Sequence, residues 1–228
     1  MSIINAQNVF KTYDTGKIQV QALKGIDLKI EKGEMIAVMG PSGCGKTTLL
    51  NCLSGLDDLT SGAVLLEGQN IHEMKDNPRT EYRAQKMGFI FQSFNLLPVL
   101  TALENVELPL LVSGTSSKEA REKAEKALKL VNLSEWKDHK PSELSGGQQQ
   151  RVTIARSLVN DPLIVWADEP TGNLDSENSK EIMALLLKLN KENNQTFVIV
   201  THDPKVGDMC KRVVKMESGL IKHESINQ

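Results

Sequence analysis

Residues 40–47 read Gly-Pro-Ser-Gly-Cys-Gly-Lys-Thr, a spacing suited to holding phosphate. Glycines at 40 and 45 let backbone N–H groups turn inward around anionic oxygens with no Cβ in the way. Lys46 adds a cation for the outer phosphates, and Thr47 a hydroxyl for Mg²⁺. The competing explanation is a structural glycine turn. An accidental match in a chain of this length has odds on the order of 1 in 100, so phosphate binding prevails.

Two further clusters bear on chemistry. The apolar run Leu163–Ala167 ends in the adjacent carboxylates Asp168 and Glu169, and buried charges need partners. Beside a phosphate loop, one carboxylate helps hold Mg²⁺ while its neighbour orients or deprotonates the attacking water. Taken alone, an acidic turn or helix cap explains the pair equally well. Leu144-Ser145-Gly146-Gly147-Gln148 offers a hydroxyl and several N–H groups to an anion. By local physics an ordinary cap, with Ser145 starting a helix, is the better account of it.

The elements that must position these residues follow from periodicity. Met35–Met39 is an apolar run of strand length, and Leu49, Leu50, Leu53 and Leu56 repeat at helical spacing. Strand, glycine loop and helix is the context the loop requires, because the helix N-terminus then faces the phosphates. Ile26, Leu28 and Ile30 alternate with charged residues. Val64–Leu66 runs into the turn-like Glu67-Gly68-Gln69-Asn70, and Gly88–Phe91 is a further short strand. Ser116 and Glu119 resemble a capping box ahead of the stripe Ala120, Ala124, Ala127, Leu128 and Val131. A helix over about 147–158, a buried strand over 163–167, a helix carrying Ile182, Leu185, Leu186 and Leu189, and a final buried strand at Phe197–Val200 complete the pattern. Strands alternating with helices imply a parallel sheet covered on both faces, with the helical middle inserted between two halves.

The chain has 228 residues, a net charge of −2 and 4% aromatics, which provides neither a basic field nor a stacking platform for nucleic acid. Cys44, Cys52 and Cys210 are few and odd in number, as expected in a reducing compartment. Cys44 has no Cys/His cluster around it, so it reads as a small tolerated residue rather than a metal ligand. No apolar run approaches the roughly 20 residues needed to span a bilayer. Met1–Asn5 lacks the basic and apolar regions of a signal peptide. The chain therefore reads as cytosolic, meeting a membrane only through a partner.

With Leu144–Gln148 the chain resembles the ATP-binding-cassette ATPases, whose signature sequence is LSGGQ. The resemblance covers essentially the whole chain, with the family motifs in order. Gly40, Pro41, Ser42, Gly43, Cys44, Gly45, Lys46, Thr47 and Thr48 match the Walker A loop. Tyr13 matches the aromatic that stacks on adenine, and Gln92 the glutamine that touches Mg²⁺. Ser145, Gly146, Gly147 and Gln148 match the signature, and Asp168 and Glu169 the end of Walker B. Asp175 matches the loop that crosses the dimer, and His202 the switch histidine. Outside that pattern Tyr13 would read as a core aromatic, Gln92 as a solvated loop residue, Asp175 as a helix cap and His202 as a structural histidine. His202 also follows a buried strand, at the sheet edge where α/β ligands bind.

The resemblance implies an α/β fold: a P-loop NTPase core with a mostly parallel sheet, an N-terminal antiparallel β subdomain and an inserted α-helical subdomain. It implies one cassette over 1–228, with the RecA-like core and β subdomain over about 1–92 and 160–228 and the helical subdomain over about 93–159. It further implies ATP and Mg²⁺ as cofactors, with Glu169, His202 and Lys46 as the catalytic set and Thr47, Gln92 and Asp168 around the metal. Family members form head-to-tail homodimers when ATP is bound, and a membrane permease docks near Phe94–Val106, at the cytoplasmic face of the membrane. A narrower likeness, through Ala167–Asp175 and Glu104-Asn105-Val106, is to the lipoprotein-release, macrolide-export and FtsE-like group. An exporter subunit is thus the first expectation, and an FtsE-like regulatory ATPase without transport the alternative. DNA-repair members carry long coiled coils and translation factors two cassettes; this sequence has neither.

Overall fold

Alternation of apolar and polar residues makes strands buried on one face, and unbroken apolar runs make strands buried on both. Both kinds occur in the computed structural model, which describes residues 2–14 and 16–227. In chain order the first elements are β1 (Ser2–Asp14), β2 (Gln19–Glu31), β3 (Met35–Met39), α1 (Lys46–Leu53), β4 (Ser61–Leu66), β5 (Gln69–Asn70), α2 (Asp76–Lys86) and β6 (Met87–Phe91). The helices α3 (Ala102–Val112), α4 (Ser117–Leu130) and α5 (Gly146–Leu158) follow, then β7 (Ile164–Asp168) and α6 (Ser176–Asn193). The chain closes with β8 (Thr196–Thr201), α7 (Pro204–Met209), β9 (Arg212–Glu217) and β10 (Leu220–Ile226).

Two compact units result, Met1–Thr80 with Asn190–Gln228, and Glu81–Leu189; Met1, Thr15 and Gln228 lie outside the described residues. In the first unit β2, β1, β4 and β5 form an antiparallel sheet. A second set of strands centres on β3, which pairs in parallel with both β8 and β9, while β10 runs antiparallel along β9. Ile36, Ala37 and Val38 of β3 and Phe197–Val200 of β8 are fully buried, the pattern of a strand covered on both faces. In the second unit β6 and β7 pair in parallel, Gly88 opposite Val165 and Phe91 opposite Asp168. Trp166 of β7 is wholly buried, and α3, α4 and α5 pack on one another. The fold is mixed α/β, with an antiparallel N-terminal sheet and predominantly parallel core strands.

Several expectations need correction. Leu56 is not part of α1; it lies beyond the helix and is exposed. Gly55 ends the helix at φ 68, and the Gly55 and Leu56 amides return to the Cys52 and Asn51 carbonyls at 3.2 and 2.9 Å, closing a Schellman cap. Ser116 makes only half a capping box: its hydroxyl accepts from Glu119 N–H at 3.4 Å, while the Glu119 carboxylate pairs with Lys123 at 3.0 Å instead. Gln69 and Asn70, read as turn, form the short strand β5. Phe197–Val200 is not the last strand, since β9 and β10 follow it.

Candidate nucleotide-binding and hydrolysis site

In the first unit the loop from Gly40 to Gly45 joins β3 to α1. Gly45 stands at φ 103, and a Cβ there would lie 2.6 Å from the Ala22 carbonyl oxygen, so only glycine fits. Lys46 opens α1 behind it, almost buried, and its ammonium donates to the carbonyls of Gly40 and Pro41 at 2.9 and 3.0 Å. The first turn of α1 carries amides with no intrahelical acceptor, the donor set that anions take at a helix start. Ser42, Gly43 and Thr47 are exposed, whereas Cys44 is buried and its carbonyl accepts from Gly219 N–H at 3.0 Å. Cys44, Cys52 and Cys210 are all buried free thiols, and burial pushes Cys52 and Cys210 up to about 12.

His202 starts from the neighbouring strand. Met39 of β3 is the register partner of Thr201 of β8, so Gly40 and His202 are the next residues on two parallel strands about 5 Å apart. Tyr13 is held at the other end of α1. Its hydroxyl donates to Asp57 at 2.6 Å, and Asp57 N–H in turn bonds to the Asn51 carbonyl at 3.1 Å. Burial and Asp57 raise the Tyr13 phenol above its ordinary pKa, opposed by a hydrogen bond with Thr48. Tyr13 and Thr48 are therefore in contact. Lys11 lies 4.8 Å from the Tyr13 ring centroid and 2.6 Å from Asp57. Burial alone would raise the Asp57 carboxyl, but the Lys11 and Tyr13 bonds outweigh it and hold the carboxyl below its usual range.

The second unit repeats the strand-end arrangement. Because Phe91 is the register partner of Asp168, Gln92 and Glu169 leave two adjacent parallel strands side by side. Glu169 adopts φ 49, a conformation that costs a non-glycine residue roughly 1–3 kcal/mol unless its surroundings hold it. Gly172 N–H closes the turn onto the Glu169 carbonyl at 3.0 Å. Gln92 is exposed; its amide donates to Asn173 Oδ1 at 3.2 Å, and Asn173 donates back to the Gln92 carbonyl at 2.9 Å.

Ser145 caps α5. Its hydroxyl accepts from Gln148 N–H at 3.3 Å, and the Gln148 side chain accepts from Ser145 N–H at 2.8 Å, a complete capping box. Gly147 is packed against the Asn178 side chain, where a Cβ would collide, while Gly146 has room. Asp175 caps α6, accepting from Glu177 and Asn178 N–H at 2.9 Å each, and its second oxygen accepts from the Asn178 amide at 2.6 Å. Those bonds, the Asn178 backbone first, hold the Asp175 carboxyl below its ordinary range. The local caps foreseen at Ser145 and Asp175 are thus present.

Three further side chains shape the same unit: Arg156 and Gln150, which no sequence pattern singled out, and Asn105, which entered only within the segment Glu104-Asn105-Val106 and with no role of its own. Arg156 of α5 donates to the carbonyls of Phe94 and Asn95. Asn105 of α3, 1% exposed, accepts from Leu97 N–H at 2.8 Å and donates to the carbonyls of Leu97, Leu100 and Thr101. Gln150 of α5 is buried and donates to the Pro170 carbonyl at 2.5 Å. Their one available signal is a polar residue on an otherwise apolar helix face, such as Asn105 beside Ala102 and Val106. Among the described residues, no group of three or more His, Cys, Asp or Glu is arranged to hold a metal ion, and no helix is long and apolar enough to cross a membrane.

A parallel strand, a glycine loop and a helix N-terminus carrying Lys46 and Thr47 define a P-loop nucleotide hydrolase. Residues 23–172 match the family model described as ABC transporter. A lipoprotein-releasing system ATP-binding protein of Cytophaga hutchinsonii is 48% identical over 219 residues, 96% of this chain and 98% of that one. A macrolide export ATP-binding/permease protein of Syntrophobacter fumaroxidans is 47% identical over 99% of this chain, which spans only 32% of that relative's length. The cassette MJ0796 of Methanocaldococcus jannaschii, solved as a dimer in a post-hydrolysis state bound to ADP and Pi, superposes with a TM-score of 0.90 at 44% identity, covering 99% of each chain. The chain belongs to the ABC transporter family, as an ATP-binding cassette with the ATPase fold of that family.

Proposed function

We propose that this chain is the ATP-hydrolysing subunit of an exporter of the lipoprotein-release and macrolide-export type, working through a separate permease. The observation that carries this reading is the match, along nearly the whole of both chains, to relatives named as lipoprotein-releasing ATP-binding proteins. Two structures of one relative, MJ0796, both described as dimeric, support a homodimer in the ATP-bound state. The order of the motifs supports a functional division, distinct from the two compact units, into a RecA-like core with β subdomain over about 1–92 and 160–228 and a helical subdomain over about 93–159.

Backbone N–H groups between Gly40 and Thr48 cradle the phosphates, with Lys46 and His202 on the γ-phosphate. Tyr13 stacks on adenine; a ring 39% exposed, with its hydroxyl anchored on Asp57, supports that role. Thr47, Gln92 and Asp168 offer hydroxyl, amide and carboxylate oxygens, a donor set that suits a Mg²⁺ keeping several waters. When bound, that ion supplies charge neutralisation between the phosphates. Glu169, beside Gln92 at the strand ends, orients the attacking water. Ser145, Gly146, Gly147, Gln148 and Asp175 act across the dimer on ATP held by the other copy. Phe94–Val106 receives the permease, a role supported by the exposed apolar side chains of Leu97 and Val99. The subunit then sits peripherally at the cytoplasmic face of the membrane.

Two measurements test this. Glu169→Gln should retain ATP binding while turnover falls by about 100-fold or more; near-normal turnover sinks the assignment. The membrane protein that co-purifies with the native chain should be a permease, whereas a division protein in its place would support a regulatory ATPase.

A further inference from the structure

The left-handed Glu169 turn is held at each of its carbonyls. Gly172 N–H takes the Glu169 carbonyl at 3.0 Å, and Leu174 N–H takes that of Thr171 at 3.1 Å. The carbonyl between them, on Pro170, is held from another element, by Gln150 Nε2 of α5 at 2.5 Å. Proline has no N–H, so this carbonyl is the one backbone polar handle at that position. At its other end the Gln150 amide oxygen shares one hydroxyl proton with the Gln150 backbone carbonyl. Thr153, one turn on along α5, sets its hydroxyl 3.1 Å from Gln150 Oε1 and 2.8 Å from the Gln150 carbonyl. Gln150, Thr153 and Pro170 are all buried, so the chain is shielded from competing water.

We infer that Gln150 is a positioning residue for hydrolysis: through Pro170 it fixes where Glu169 stands relative to α5, whose N-terminus carries Ser145 to Gln148. This rests on Glu169 orienting the attacking water. α5 then has a second task besides presenting its N-terminal residues, since it registers the water-orienting carboxylate against them. A misplacement of about 1 Å at such a group costs on the order of 10²-fold in rate.

The test uses the full chain and its steady-state ATPase activity, with equilibrium ATP binding and thermal unfolding measured alongside. Gln150→Met keeps the side-chain length and removes the donor. Its kcat should fall about tenfold or more while KM and the Kd for ATP stay within about twofold, at temperatures well below its unfolding midpoint. A wild-type kcat in the folded variant overturns the inference, as does a loss confined to ATP affinity. Should Gln150→Met fail to fold, Thr153→Val and Thr153→Ser replace it: the valine variant should lose kcat and the serine variant keep it, and equal rates in both overturn the inference. Glu169→Gln in the same assay separates the two claims. If it is inactive and Gln150→Met is not impaired, the positioning role alone fails; if it turns over normally, the role of Glu169 fails and the inference with it.

Discussion

Arg156 donates one guanidinium N–H to the Asn95 carbonyl at 2.6 Å and another to the neighbouring Phe94 carbonyl at 2.9 Å. Both receiving residues are left-handed, at φ 51 and 58, and each costs about 1 kcal/mol or more to hold there. The planar guanidinium presents its two N–H groups to the adjacent carbonyls in a fixed fork, whereas a lysine ammonium is a point charge on a flexible stem with no such fixed pair. Arg156→Met should therefore cost about 2–3 kcal/mol, and Arg156→Lys should recover only part of it. Thermal unfolding measures the loss, and hydrogen exchange should rise first at Phe94–Leu100. Unchanged exchange there would show that the loop holds itself.

Asn105 does the same for the next segment by a different route. Its side chain reproduces a backbone partner for Leu97 and also takes the carbonyls of Leu100 and Thr101. Asn105→Ala leaves these groups without their partner in a partly buried place and should cost about 3 kcal/mol. For a chain of this size that is a drop of roughly 6–12 °C in Tm. A drop of under about 2 °C would mean that the loop finds other partners.

These two side chains mark the boundary of what the sequence discloses. The segment from Met35 to Leu53 was readable because the apolar period changes from an unbroken run to helical spacing across the glycines. The stripes of α4 and α6 were readable for the same reason, and α5 from its start and stop signals. By contrast, β1 carries register shifts near Ser2, Ala6, Val9 and Lys11, which scramble its alternation. α2 buries no residue at all, so it has no stripe to find. For the site, the family resemblance points to Gln92, Glu169 and His202, and parallel register explains why they lie beside their partners at strand ends. Arg156 and Gln150 hold carbonyls distant in sequence, a relation that only the folded chain defines, while Asn105 holds those of the loop just before its own helix, whose path no periodicity reveals.

Glu107 makes a pH prediction. It is nearly buried on α3, and Arg121 lies 3.9 Å away with its own side chain half in water. Burial raises the Glu107 carboxyl above its ordinary range, with Arg121 opposing and Glu104 and Glu125 reinforcing. An acid with a raised folded pKa binds its proton more tightly when folded, so its contribution to stability is lost as pH rises from the unfolded value through the folded one. Glu107→Gln should accordingly raise Tm at pH 7, and the gain should shrink as pH falls below the carboxyl's titration. A variant less stable than wild type at pH 7 would show that the Arg121 pair outweighs burial.

Gly43 and Gly45 separate two costs within one loop. Gly43 stands at φ 76 with open space where a Cβ would go, so Gly43→Ala incurs only the left-handed backbone term, about 1–2 kcal/mol. Gly45, at φ 103, adds a collision of that Cβ with the Ala22 carbonyl oxygen, a backbone atom that cannot swing aside. Relief requires the loop to move off β2, carrying Lys46 and the first turn of α1 with it. Gly45→Ala should thus weaken ATP binding by at least tenfold more than Gly43→Ala, a difference of about 1.4 kcal/mol or greater. Isothermal titration with ATP checks this on protein confirmed folded by circular dichroism. Equal affinities in the two variants would mean that the Ala22 contact yields, and that backbone conformation alone governs the loop.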